Sequence, residues 1–359
     1  MIDYRGTAGS ATARGFTLVE MMVAVAVLLL ILAGLAAVVG STSHAVIYTT
    51  GKAQEFRSAR EAFEQMTQRL SQATLNTYWD YLNASGVARS ASNSGTFVPA
   101  SYARQSELRF ISGPGLVPST FTTSVTHATF FQAPGGLVAT SSDQDMNNLL
   151  NTFGYYVAFG QATQPPFVTT ASPFRYRLME MIEPADWLSI YNYTSGNPTY
   201  IAQTWFTTPL VNETSYSHVL AENVVALVLL PKLAEEQEQS LELSSLIPSA
   251  PIGTSLAPQY TYDSTTTNAN AYLDSKNQLP PEVQVTMVAI DEPSAIRLAA
   301  QNGSKAPNFG LGSLFQTASK YSSDLAQLEG TLSSAHINYH VFTASVSIRG
   351  AQWSTAQTN

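Results

Sequence analysis

The chain has 359 residues, 45% hydrophobic and 12% charged, well below the roughly 25% charge of an ordinary soluble domain. Its net charge of −8 and 17 scattered Lys and Arg offer no basic cluster for a phosphate backbone, which excludes nucleic acid as a partner. With no cysteine it has no disulfide scaffold, thiol nucleophile, thiolate metal site or lipidated anchor, so stability outside the cytoplasm must come from core burial.

Residues 1–15 are short and polar, with Arg5 and Arg14 against Asp3. Residues 16–40 (FTLVEMMVAVAVLLLILAGLAAVVG) are apolar except for Glu20. About 20 apolar residues in a helix cross a bilayer core, and the basic residues in front place the N-terminus in the cytoplasm. Three readings compete here. A secretory signal peptide has a shorter apolar region of roughly 7–15 residues, although the small residues from Ala33 to Ala37 would suit its peptidase. A plain signal anchor fits the length but gives no reason for Glu20. A carboxylate near the membrane centre costs about 2.5–3.5 kcal/mol on the insertion scale, so it calls for a partner and a function.

Gly15-Phe16-Thr17-Leu18-Val19-Glu20 resembles the signature of type IV prepilins and type II secretion pseudopilins. The resemblance implies a leader over 1–15 that is cut after Gly15 by a prepilin peptidase/methyltransferase. It further implies N-methylation of the new terminal Phe16, and a Glu20 that meets the terminal amine of a neighbouring subunit during assembly. The physics agrees, because an amine and a carboxylate, each costly alone in lipid, relieve one another when paired.

Beyond Gly40 the apolar pattern narrows to one helical face: Phe56, Phe63, Met66, Leu70 and Ala73. Arg57, Arg60, Glu61, Glu64, Gln68 and Arg69 lie mostly opposite, and no proline falls between Phe16 and Leu82. The membrane helix of 16–40 is therefore expected to continue as an amphipathic stem over 41–77, about 60 residues and on the order of 90 Å in all. Taken alone, the stem pattern equally fits an ordinary surface helix; the leader favours a stem.

Residues 78–359 are expected to form a β-rich head outside the cytoplasm. Strands are predicted at Glu107–Ser112, Val125–Gln132, Gly154–Phe159, Phe174–Met181, Ala226–Pro231, Val283–Ile290 and Ile337–Arg349. A helix is predicted over Ser319–Ala335, and low-complexity linkers at Ser85–Ser94, Leu116–Thr126, Thr163–Ser172 and Ser244–Asn270. The stretches YYVAFG (Tyr155–Gly160), FRYRLMEMIEP (Phe174–Pro184), LAENVVALVLLPK (Leu220–Lys232), LAPQYTYDS (Leu256–Ser264), LPPEVQVTMVAIDEPSAIRL (Leu279–Leu298) and VSIRGAQW (Val346–Trp353) carry a second resemblance. Their order is similar to J-type minor pseudopilins, and more closely to the group named Verru_Chthon cassette protein C. The fold class that follows is α+β and pilin-like: a long N-terminal helix packed on a β-rich C-terminal head.

Chemistry is sparse. There is no G-x-S-x-G nucleophile elbow. His336 and His340 have strand-face spacing but lack a third ligand for zinc. Asp143, Asp145, Asn147 and Asn148 are rich in oxygen, yet without a glycine for the sharp turn they read better as a helix cap or turn than as a calcium loop. Asp291 and Glu292, adjacent before Pro293, point to opposite faces of a strand and read as its terminating turn. Trp187, Tyr191, Tyr193, Tyr200, Trp205 and Phe206 suit protein or sugar contacts, against the plainer reading of core plus exposed tyrosine. No catalytic residue, metal or cofactor is expected.

The expected function is that of a minor prepilin-like structural subunit of a type IV pilus-like or type II secretion pseudopilus-like assembly. It would be single-pass in a bacterial inner membrane with a periplasmic head. Its partners would be the peptidase, other pilin-like subunits and an exported protein substrate. The alternative is an extracytoplasmic binding or hydrolytic module that borrows a prepilin-type anchor.

Overall fold

The computed structural model describes residues 18, 19, 21–32, 34, 35, 56–90, 92–123, 126–140, 148–161, 172–194, 197, 198, 203–247 and 250–354. The chain divides into two compact units, Met1–Gln54 and Glu55–Asn359.

In the first unit, residues 18–19, 21–32 and 34–35 are α-helical (α1). The helix is apolar on every face, and its large side chains are exposed, Leu18 at 77% and Leu30 at 74%. No helix among the described residues is long and apolar enough to cross a membrane. The span expected over 16–40 includes residues outside the described ones.

The second unit opens with α2 (Arg57–Leu70), followed by β1 (Tyr78–Leu82), β2 (Ser101–Gln105), β3 (Ile111–Pro114), β4 (His127–Pro134), β5 (Leu150–Gln161) and β6 (Phe174–Glu183). After β7 (Tyr193–Thr194) and β8 (Asn197–Pro198) come α3 (Thr204–Asn212), β9 (Ser217–Glu222), β10 (Val224–Lys232), α4 (Glu235–Leu243) and β11 (Tyr262–Asp263). The chain closes with β12 (Glu282–Ile290), α5 (Glu292–Asn302), α6 (Tyr321–Ser334) and β13 (Tyr339–Ser347).

Six strands form one antiparallel sheet in the order β11-β3-β4-β5-β6-β9, and three form another, β10-β12-β13. The central strands β4 and β5 of the large sheet are buried on both faces, which explains why they read as nearly unbroken apolar runs. The two-residue period sorts their side chains. Phe131, Phe153, Tyr155 and Val157 join the main core with the small sheet and α2. Phe130, Tyr156 and Ala158 face the other way, against Trp205, Phe206 and Leu210 of α3. Gly154 lies opposite Phe130 in the ladder, and a Cβ there would come within 2.5 Å of the Phe130 ring. The glycine leaves room for Phe130 to stack on Phe206, centroids 4.3 Å apart.

Strand β10 (VVALVLLPK) is the edge of the small sheet, yet Val224 to Leu230 are all buried. Side chains from the start of β4 close this edge. The Leu227 N–H donates to Thr126 Oγ1 at 3.2 Å, and the Leu229 N–H to His127 Nδ1 at 3.0 Å. His127 Nε2 lies 3.0 Å from the Phe315 carbonyl and donates to it, so the ring is held neutral with its proton on Nε2. An edge whose N–H groups are already satisfied cannot template another strand.

The expected stem over 41–77 needs correction. Residues 41–55 lie outside the described ones, and α2 ends at Leu70, not Thr77. Tertiary contacts take over there: the Arg349 N–H donates to the Ser71 carbonyl at 3.0 Å, and the Thr74 N–H to Gln132 O at 2.9 Å. The helix belongs to the same compact unit as the strands, Glu55–Asn359. The segment expected as a linker over Ser244–Asn270 is ordered core for much of its length. Leu256, Ala257, Tyr260 and Tyr262 are buried, and β11 pairs with β3.

Candidate functional site

Of the residues singled out in the sequence, Gly15, Phe16 and Glu20 lie outside the described residues, as do Asp143, Asp145 and Asn147. Asn148 is an exposed turn residue. His336 is not on a strand with His340: it sits in a left-handed turn after α6 (φ 53°), while His340 lies on β13 with its ring against Phe56 and Phe342. The turn breaks the two-residue period that the spacing assumed.

Asp291 and Glu292 do part company, but the turn they form starts a helix. Asp291, 2% exposed, accepts from the Ser294 N–H at 3.0 Å as the N-cap of α5, and from Asn338 Nδ2 at 2.6 Å. Glu292 faces outward and accepts from Arg175 at 2.9 Å and Asn223 at 2.6 Å. Trp205 and Phe206 are core, whereas Trp187 is 63% exposed. Among the described residues, no group of three or more His, Asp or Glu could hold a metal ion.

The arrangement with functional weight is the seat of α2 on the head. Its apolar face buries Ala59, Ala62, Phe63, Met66 and Leu70. Phe63 meets Phe342 of β13 at 5.7 Å between centroids. On the other side a buried polar network receives the helix. Glu180 on β6, 1% exposed, accepts from Tyr155 Oη at 2.5 Å, Gln65 Nε2 at 3.3 Å and His218 Nε2 at 2.9 Å. Arg69 donates to the Pro134 carbonyl at 2.7 Å and lies 4.5 Å over the Phe153 ring.

Burial works against ionisation of Glu180, but the hydrogen bonds from His218 and Tyr155 and the charges of His218 and Arg69 hold it below the usual carboxylate range. The same hydrogen bond to Glu180 raises His218. Three residues further along β6, burial lifts Glu183 to about 7, partly opposed by its bond from the Ser189 N–H. Gln65 and Arg69 thus tie α2 to the large sheet, and Phe63 against Phe342 ties it to the small one.

Residues 11–36 match the prokaryotic N-terminal methylation motif. The chain is thereby prepilin-like in its N-terminal segment, and the matched span includes Gly15, Phe16 and Glu20. The motif implies processing by a prepilin peptidase, anchorage in a membrane and assembly with other pilin-like subunits. No curated protein and no solved structure matches the chain.

A feature that sequence reading missed is the β1–β2 pair. Tyr78, Trp79, Tyr81 and Tyr102 are each 44–47% exposed there. The alternating aromatic string Tyr78-Trp79-Asp80-Tyr81-Leu82 is the local signal for this strand.

Proposed function

We propose that this protein is a minor prepilin-like structural subunit, not an enzyme, of a type IV pilus-like or type II secretion pseudopilus-like assembly. The observation that carries the reading is the methylation motif at 11–36, a span that contains Gly15, Phe16 and Glu20. The peptidase cuts after Gly15, Phe16 becomes the methylated terminus, and the apolar segment keeps the chain in the inner membrane with its head outside the cytoplasm. Glu20 then meets a neighbour's terminal amine as subunits pack side by side. The α2 seat suits this role, because a subunit drawn in by its helix must carry its head along without unfolding it.

Intact-mass analysis in a host with the peptidase tests the proposal. The expected mature chain starts at N-methylated Phe16, and Gly15→Leu leaves the precursor uncut. Cleavage near Ala37, or an uncut wild-type chain, would refute it.

A further inference from the structure

Trp79 and Arg104 face each other across the β1–β2 ladder, and Tyr81 faces Tyr102 one step along. The strand period puts all four on one face. The Arg104 guanidinium lies 5.6 Å over the Trp79 ring, and the two tyrosine rings are 4.7 Å apart. Beside them opens a cavity of about 270 Å³, lined by Trp79, Arg104, Gln278, Leu279 and Gln352 among others.

Arg104 is held from one side only. Its Nη1 donates to the Gln278 side chain and to the Gln352 carbonyl. Its Nε and Nη2 donate to no described residue, and no described carboxylate forms an ion pair with it. Burial lowers its pKa, so the cation is partly desolvated without an anion to compensate. The free edge of a guanidinium matches a carboxylate in bidentate fashion.

We propose that this face and its cavity bind an acidic oligosaccharide. A uronate ring stacks on Trp79 with its carboxylate on the open edge of Arg104, and the neighbouring ring lies on Tyr81 and Tyr102. A peptide would draw on the main-chain groups along the outer edges of this two-stranded sheet, whereas the aromatic rings and the guanidinium fork stand on its broad face, away from those edges. A neutral sugar would leave the fork unused, and a lone cation is too little for a nucleic acid. The site stands independently of the assembly reading, since it uses only residues of the head.

The full chain in detergent micelles is titrated with uronate tetramers (galacturonate, guluronate and mannuronate), following tryptophan fluorescence and heat. At least one uronate should bind saturably, with cellotetraose at least tenfold weaker. Trp79→Ala, whose side chain is half exposed, should weaken binding tenfold or more at an unchanged melting temperature. Arg104→Lys should fail to preserve affinity because a point charge does not replace the fork. The proposal is overturned if no uronate binds, if cellotetraose binds equally, if Trp79→Ala leaves affinity intact, or if a peptide with a free C-terminal carboxylate binds more tightly than every uronate.

Discussion

The hydroxyl of Tyr155 and the carboxylate of Glu180 stand directly opposite each other on β5 and β6, 2.5 Å apart, at the place where Gln65 of α2 reaches down. Tyr155→Phe removes one donor from a carboxylate that is nearly closed to solvent. A buried acceptor left short costs about 1–3 kcal/mol, and urea denaturation should show that loss. Glu180→Gln should recover part of it in the Tyr155→Phe background, since an amide tolerates burial better than a charge. A Tyr155→Phe protein of wild-type stability would show that the network does not hold the helix.

Two buried groups oppose one another in pH dependence. Burial lowers His127 to about 4, below its ordinary 6.5, so its contribution is complete above pH 6.5 and is lost as pH falls toward 4. Burial raises Glu183 from 4.5 to about 7, so its contribution is complete below pH 4.5 and is lost as pH rises toward 7. Each amounts to about 3 kcal/mol at most, and between pH 4.5 and 6.5 the two slopes have opposite sign. His127→Gln should lose stability on going from pH 4.5 to 7, and Glu183→Gln on going from pH 6.5 to 4. Parallel profiles for the two variants, measured by denaturation across this range, would contradict the assignment.

Gly154→Ala places a methyl group 2.5 Å from the Phe130 ring, which is itself stacked on Phe206. Neither ring has room to yield in a sheet covered on both faces. Overpacking of this kind costs about 1–3 kcal/mol, read as a lowered melting temperature. The double variant Gly154→Ala with Phe130→Leu should be less impaired than the sum of its parts.

Asp291→Ala deletes the N-cap of α5 and leaves the Asn338 amide without its acceptor. Caps of this type contribute about 1 kcal/mol, and the exposed Asn338 amide, which can turn to water, adds little to the loss. Asp291→Asn keeps an acceptor for the Ser294 N–H and should retain most of the stability in a urea titration.

Glu20→Leu addresses assembly apart from folding. The change removes a charge from the apolar segment, so insertion and cleavage should proceed as in the wild type. Incorporation into assemblies should fail, because a neighbour's terminal amine would be left buried and unpaired. Crosslinking to partner subunits separates these steps, and equal incorporation of the variant would remove Glu20 from the mechanism.

Much of this protein could be read from local pattern alone. The methylation motif and the apolar run depend on residue order and on the cost of charge in lipid, neither of which needs a fold. All seven predicted strands overlap a strand of the structure, with Glu107–Ser112 displaced toward Ile111–Pro114, and the helix predicted over Ser319–Ala335 is α6, because those segments bury side chains in regular periods. The periodicity of α2 was equally plain, but its end was not: Leu70 is the last helical residue only because Arg349 and Gln132, remote in sequence, take the next backbone groups. The polar-looking stretch around Tyr260 and Tyr262 became core for a similar reason, since the Tyr262 hydroxyl finds the Gln278 carbonyl at 3.0 Å. No local rule brings Glu180 to Tyr155 and Gln65, or Arg104 to Trp79 and Gln278. Those groups meet only after the strands pair and the sheets stack, so the sequence determined the anchor and most of the elements, while the tertiary structure decided where buried charge and exposed aromatic rings converge.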